Sequence, residues 1–303
     1  VAGCAAGARP LLPPIDRSAD HPLIGRIWAS AEHRFLTADE LASRLRDARV
    51  VLLGESHDNP RHHQGEAWIV RTLVDQGRHP VVALEMITTE EAKAADSCRE
   101  ARCSVLQFAE AVRWNERGWP DWRIYAPLLA EILTARSIVV PASLSRTAEA
   151  DIITQGDASS SHPFVERLAL DEPLPAAVHA SMAEEIRQAH CGHAPEGKLD
   201  AMIQVQRLRD GFMADSLAAA RTGATAVLIA GAGHVRTDRG VPPLLERLVP
   251  GVPVVAIGFV EVAQGSDDPA AYADPPFPFV WFTEPATSED PCEKFREQLR
   301  KLR

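Results

Sequence analysis

The sequence predicts an α/β fold: a mainly parallel, mixed sheet flanked by helices, with a helical insertion or lobe. Three observations carry that expectation. Short β-branched apolar runs recur along the chain, amphipathic stretches long enough for crossover helices separate most of them, and one long interval holds helical patterns without a convincing strand. Continuous rather than alternating hydrophobicity in the runs implies burial on both faces, as in parallel sheets.

In chain order, residues 1–20 read as a linker rich in Pro, Ala and Gly, and residues 21–303 as one domain. Thr37 with Glu40 three residues on forms a capping box that opens a short helix. Strands are expected at Val50–Leu53, Val81–Leu84, Ile138–Ala142, Ala226–Ala230 and Val254–Gly258, with a sixth in "FPFVWF". Asn59 caps the helix after the first of these and Pro60 suits its first position. The helical lobe spans about residues 149–221, where Met202, Val205, Leu208, Phe212 and Leu217 mark an apolar face.

Composition narrows the function. A net charge of -10 over 303 residues, with no basic stripe, argues against a nucleic-acid partner. Val1-Ala2-Gly3-Cys4 matches the end of a bacterial lipoprotein signal, so a lipid on Cys4 and a membrane tether at the bacterial envelope, facing periplasm or exterior, are expected. Four cysteines then remain in a disulfide-permissive compartment: Cys98 and Cys103 could close a small loop and Cys191 could staple Cys292, but three pairings are open, and so is the all-thiol state.

Two strand ends share a signature. "LLGESH" and "IAGAGH" both leave an apolar run through Gly-x-x-His, which delivers His57 and His234 to the carboxyl edge where open α/β sheets bind ligands. A glycine there is expected to let the backbone turn sharply. "VVALEM" adds Glu85 at a third strand end, and Glu55 sits inside the first turn. Glu55, His57, Glu85 and His234 therefore suit a general acid/base site of a hydrolase, with His57, His234 and Glu85 able to hold a divalent metal. The bland alternative is a salt-bridge network that fixes the turns. His62 and His63 are expected to divide between crevice and solvent. P-loop, zincin, CxxC and nucleophile-elbow motifs are missing, and the "GAGHVR" dinucleotide pattern fails at Arg236.

Taken together, "LLGESHDNPRHHQ", "ALEM", "WPDWRIYAPLL", "HCGHAP", "QRLRDGFMA" and "IAGAGHVRTDRGVP" resemble the ChaN family of haem-binding, often lipid-anchored bacterial proteins, within a superfamily that includes Tiki metalloproteases and erythromycin-esterase-like hydrolases. The resemblance implies haem as ligand, a role in haem or iron acquisition, a tyrosine on the iron, and propionates held by basic residues of a partner subunit, hence a homodimer. Of the chain's two tyrosines, Tyr125 lies in a family-like block and is the expected ligand, with Phe108, Trp114, Trp119 and Trp122 as flat apolar surface around it. His193 is expected as a further haem contact, and Arg209, oriented by Asp210, as a propionate partner.

Overall fold

Each apolar run becomes a strand because only a sheet covered on both faces can bury such residues completely. The structure is a computed structural model that describes residues 21–145, 147–148, 163–220, 224–287 and Cys292. The Cys4 tether and the expected linker at residues 1–20 lie outside these residues, as do parts of the expected lobe.

The strands are β1 (Ile27–Ala29), β2 (Arg34–Leu36), β3 (Val50–Glu55), β4 (Val81–Thr88), β5 (Val139–Ser143), β6 (Ala226–Gly231), β7 (Val254–Glu261) and β8 (Phe279–Thr283). They form one sheet in the order β2-β1-β8-β7-β3-β6-β4-β5. Pairing is parallel from β8 to β5, and the short β1 and β2 add antiparallel at the far edge. This hairpin is the one part of the sheet not expected from sequence: strands of three residues are too short for a periodic signal.

One face is covered by α1 (Ala38–Asp47), α2 (Pro60–Asp75), α3 (Ala92–Ala101), α4 (Val105–Ala111) and α5 (Ala126–Thr134). Thr37 and Glu40 form the full capping box of α1, each accepting a backbone N–H of the other. Asn59 caps α2 by accepting from Arg61 N at 2.8 Å. Between β5 and β6 run α6 (Pro163–Arg167), α7 (Ala176–Ala189) and α8 (Leu199–Ala220). With α9 (Val241–Leu248), the C-terminal half of α8 covers the second face through Met213, Ala214, Leu217, Val241 and Leu245. Among the described residues no helix is long and apolar enough to cross a membrane.

Both disulfides left open by the sequence are formed. Cys98 joins Cys103 just past α3, and Cys191 joins Cys292 across 101 positions, with Cα atoms 5.0 and 5.6 Å apart.

Candidate functional site

Topology explains why residues about 180 positions apart meet. β3, β6 and β4 are consecutive in the sheet and parallel, so their carboxyl ends lie side by side at the ~4.8 Å strand spacing. β3 runs on to Glu55, two residues beyond its expected end. β4 runs to Thr88, so Glu85 lies within it, one residue past its last pairing with β6 at Leu84 and Ile229.

The glycines of the two Gly-x-x-His turns serve a purpose other than the expected sharp bend. Gly231 has φ -53°, open to any residue, but a Cβ there would sit 3.3 Å from His57 Nε2. A Cβ on Gly54 would meet Ala232 Cα at 3.0 Å. Both glycines allow close approach of backbone and ring.

The side chains form a row in which carboxyls and imidazoles alternate. His57 Nδ1 donates to Glu55 Oε1 at 2.8 Å, and its Nε2 lies 3.7 Å from Glu85 Oε2. Glu85 accepts the Gly231 N–H at 2.8 Å, and its other oxygen lies 3.6 Å from His234 Nε2. His234 Nδ1 donates to Asp210 at 2.6 Å. On the other side Glu55 Oε2 meets His63 Nδ1 at 2.8 Å, and the same nitrogen is 3.1 Å from Glu66. The row thus reads Glu66, His63, Glu55, His57, Glu85, His234, Asp210. Its members are buried except His57, whose side chain is 32% exposed beside the edge of Trp119.

Burial of so many ionisable groups is tolerated only because each faces an opposite partner. Burial alone would raise Glu55, but bonds from His57 and His63 bring it down to about 2. For Glu85 burial is likewise outweighed, by His234 and His57, and its carboxylate is held well below the ordinary range. Burial opposes charge on His234, yet Glu85 and Asp210 raise it to about 10. His63 reaches about 10 in the same way, against burial, through Glu55 and Glu66. The net direction for His57 is also upward, its burial overcome by Glu55 and Glu85. Glu66 behaves oppositely: burial and the charge of Glu55 push it up to about 8, so it keeps its proton at neutral pH.

Glu55, His57, Glu85 and His234 are brought together. Tyr125 does not have the expected place. It is wholly buried, stacks on His63 at 3.7 Å, and donates to the His57 carbonyl at 3.0 Å and to Glu55 at 3.2 Å. Burial and the Glu55 charge push its phenol far up, so the phenolate needed for ferric iron is suppressed. Tyr125 is a strut beneath the row, and Phe108 and Trp114 around it are closed core rather than a slot.

The expected metal trio also changes. Among the described residues, donor atoms fall within 4.8 Å of one another for Glu55, His63 and Glu66, not for His57, His234 and Glu85. His62 and His63, expected to divide between crevice and solvent, are both fully buried. His62 accepts the Ser56 N–H at 2.8 Å and bonds Thr283 at 2.9 Å. Burial lowers it to about 3, so it stays neutral. Asp210, expected beside Arg209, bonds His234 Nδ1 at 2.6 Å and so joins the row. Glu66 has no place in the sequence reading, which also leaves open which of His62 and His63 faces the crevice and whether Asp210 reaches the strand ends. The one available signal was the three-residue spacing of His63 and Glu66 on α2, which puts them on one helix face.

Of the cavities beside the row, Arg209 lines two. One, of about 400 Å³, lies beside Trp119 and is lined by charged side chains that include Glu90, Glu91, Arg113 and Arg117. The other, of about 380 Å³, opens between α7 and α8. Met182, Ile186, Met202 and Val205 wall it, Asp210 and Gly233 border the row, and His190 and Arg239 complete it. His193 does not belong to that wall; its ring bonds the Cys191 carbonyl at 2.8 Å.

Residues 41–245 match the family described as haem-binding uptake, Tiki superfamily, ChaN. The chain belongs to the ChaN family. Among solved structures, ChaN of Campylobacter jejuni, described for its cofacial haem binding, superposes with a TM-score of 0.68 at 20% identity, covering 84% of this chain and 95% of that one. This likeness establishes the mixed α/β ChaN fold. An erythromycin esterase variant in its open conformation is more distant, with TM-score 0.44, 14% identity and 76% of each chain covered. No curated protein sequence matches.

Proposed function

We propose that this ChaN-family protein binds haem in the cavity between α7 and α8 and serves haem or iron acquisition at the bacterial envelope, tethered through a lipid on Cys4. The cavity wall carries the reading. A macrocycle needs flat apolar contact and its propionates need cations, and this cavity joins two methionines, Ile186 and Val205 to Arg209 and Arg239. The neighbouring cavity is lined mainly by charged side chains, Glu90, Glu91 and Glu116 with Arg113, Arg117 and Arg209, and lacks the methionine and aliphatic wall that a macrocycle needs. Haem would supply a ferric centre able to take a protein ligand, while the chain would supply the apolar seat and the cationic edge. The cavity is open on one side, so a second copy covering the exposed face, in a homodimer, accords with the cofacial haem binding described for the Campylobacter jejuni protein. Full-length protein mixed with haemin should show a saturable Soret shift that Met202→Glu and Val205→Glu weaken. An unshifted wild-type spectrum would reject the reading.

A second reading, a histidine-assisted or metal-dependent hydrolase, has one observation in its favour. His57 is the sole solvent-reaching member of the row, and Glu55 fixes the hydrogen of its Nδ1. With its Nε2 proton given up, the ring could take a proton from water attacking an ester or peptide, with Glu85 and His234 holding the charge behind it. A divalent ion on His57, His234 and Glu85 would require the two rings to close in. Turnover of ester and peptide substrates that His57→Ala abolishes would support this reading, and no turnover with no metal by elemental analysis would remove it.

A further inference from the structure

The resemblance calls for a tyrosine on the haem iron, but neither tyrosine of this chain reaches the cavity. Tyr125 is locked under the row. Tyr272 spends its hydroxyl on the Ala263 N–H at 2.8 Å and the Ser266 carbonyl at 3.0 Å, with its ring against Phe282. An iron seated between α7 and α8 therefore needs another donor.

Resting on the haem-binding reading above, we infer that His190 Nε2 is the axial iron ligand of this protein. His190 is part of the cavity wall. Its Nδ1 lies 2.8 Å from the Ile186 carbonyl, which can only accept, so the hydrogen is on Nδ1 and the lone pair on Nε2. A carbonyl on the far nitrogen is the usual support of a metal-binding imidazole: it fixes the ring and raises its basicity. The backbone holds the ring in place as well. His190 caps the C-terminal end of α7, and the next residue, Cys191, is fastened to Cys292.

Other imidazoles near the cavity are unsuited. His234 has both nitrogens directed at buried carboxylates, and His193 is outside the wall. The coordination step is a simple exchange. His190 Nε2 would replace the water or chloride of haemin on ferric iron, with no change of oxidation state. Met182 and Met202 then line the macrocycle, and Arg209 and Arg239, the latter held by Ser181 and Glu185, stand at the propionate edge.

The test uses the full chain and haemin, read by optical absorption and electron paramagnetic resonance. Wild-type protein should show an imidazole-ligated spectrum. His190→Ala should lose it and bind haemin at least about tenfold more weakly. His190→Gly should regain it when free imidazole is added, and His193→Ala and Tyr272→Phe should leave it unchanged. A tyrosinate-type charge-transfer spectrum in the wild type, or a spectrum that His190→Ala does not alter, would overturn the assignment while haem binding itself stands. Absence of any haemin binding by the wild type would remove both.

Discussion

The strand-end row and the α7–α8 cavity are neighbours built on opposite principles. The row is centred on the ends of three hydrogen-bonded strands with α2 and α8 closing its flanks, is almost wholly buried, and holds its charge by strict alternation of carboxyl and imidazole. The cavity hangs on two helices, is lined by methionine and aliphatic side chains, and opens to the surface. Rigid backbone is needed where every partner must stay within hydrogen-bond distance, because an orphaned buried charge costs several kcal/mol. Helices with flexible methionines can adjust to a bulky flat ligand at little cost.

Substitutions should separate the two regions by their effect on stability. The largest effect is expected for Glu85→Ala or Glu55→Ala, which strand two imidazoliums each. A loss of about 3–5 kcal/mol in denaturant unfolding is anticipated, and a loss under about 1 kcal/mol would show that the row is not held by charge pairing. Met202→Ala in the cavity wall should cost far less, since that side chain is only partly buried.

Tyr125→Phe removes one buried hydroxyl whose acceptors keep other partners, so a loss of about 1 kcal/mol is expected with the haemin spectrum unchanged. A lost Soret shift at preserved stability would instead restore Tyr125 as a ligand. His57→Ala, at the exposed position, should change stability least of the row substitutions.

The pH response sharpens the contrast further. His63 and His234 rise from 6.5 to about 10 on folding, so their contribution is complete below pH 6.5 and lost as pH climbs through 10. Glu66 rises from 4.5 to about 8, so the folded chain binds the extra proton between these values and stability falls with pH across that interval. Glu55, lowered to about 2, loses its contribution as pH drops from 4.5 toward 2. Thermal melting should therefore show a maximum on the acidic side of neutrality. Glu66→Gln should flatten the descent between pH 5 and 8, and an unchanged slope would mean that Glu66 is ionised in the fold.

Much of the fold was legible because its signals are local. Apolar runs, the Thr37 and Glu40 box and the Asn59 and Pro60 helix start are each read within a few residues. The β1–β2 hairpin was not, since three residues per strand carry no periodicity. In the site, Glu55, His57, Glu85 and His234 could be read because each is tied to an apolar run whose end must reach one edge of the sheet. Glu66 was hidden, and His63 and Asp210 stayed open between alternatives, because a helix position says nothing about which strand end its face will meet. Tyr125 misled for the same reason: a motif places a side chain in the chain but not on the inner or outer side of the pocket.

By itself the sequence determined which segments become strands, that their carboxyl ends carry acid and imidazole, and which family the chain resembles, because hydrophobic periodicity and turn chemistry act over a few bonds. The adjacency of β3, β6 and β4, the sealing of Tyr125 beneath the row and the placing of His190 rather than His193 at the cavity emerge with the folded packing. Those outcomes depend on long-range packing and on the cost of burying charge, which are properties of the assembled sheet and helices and of no single stretch of chain.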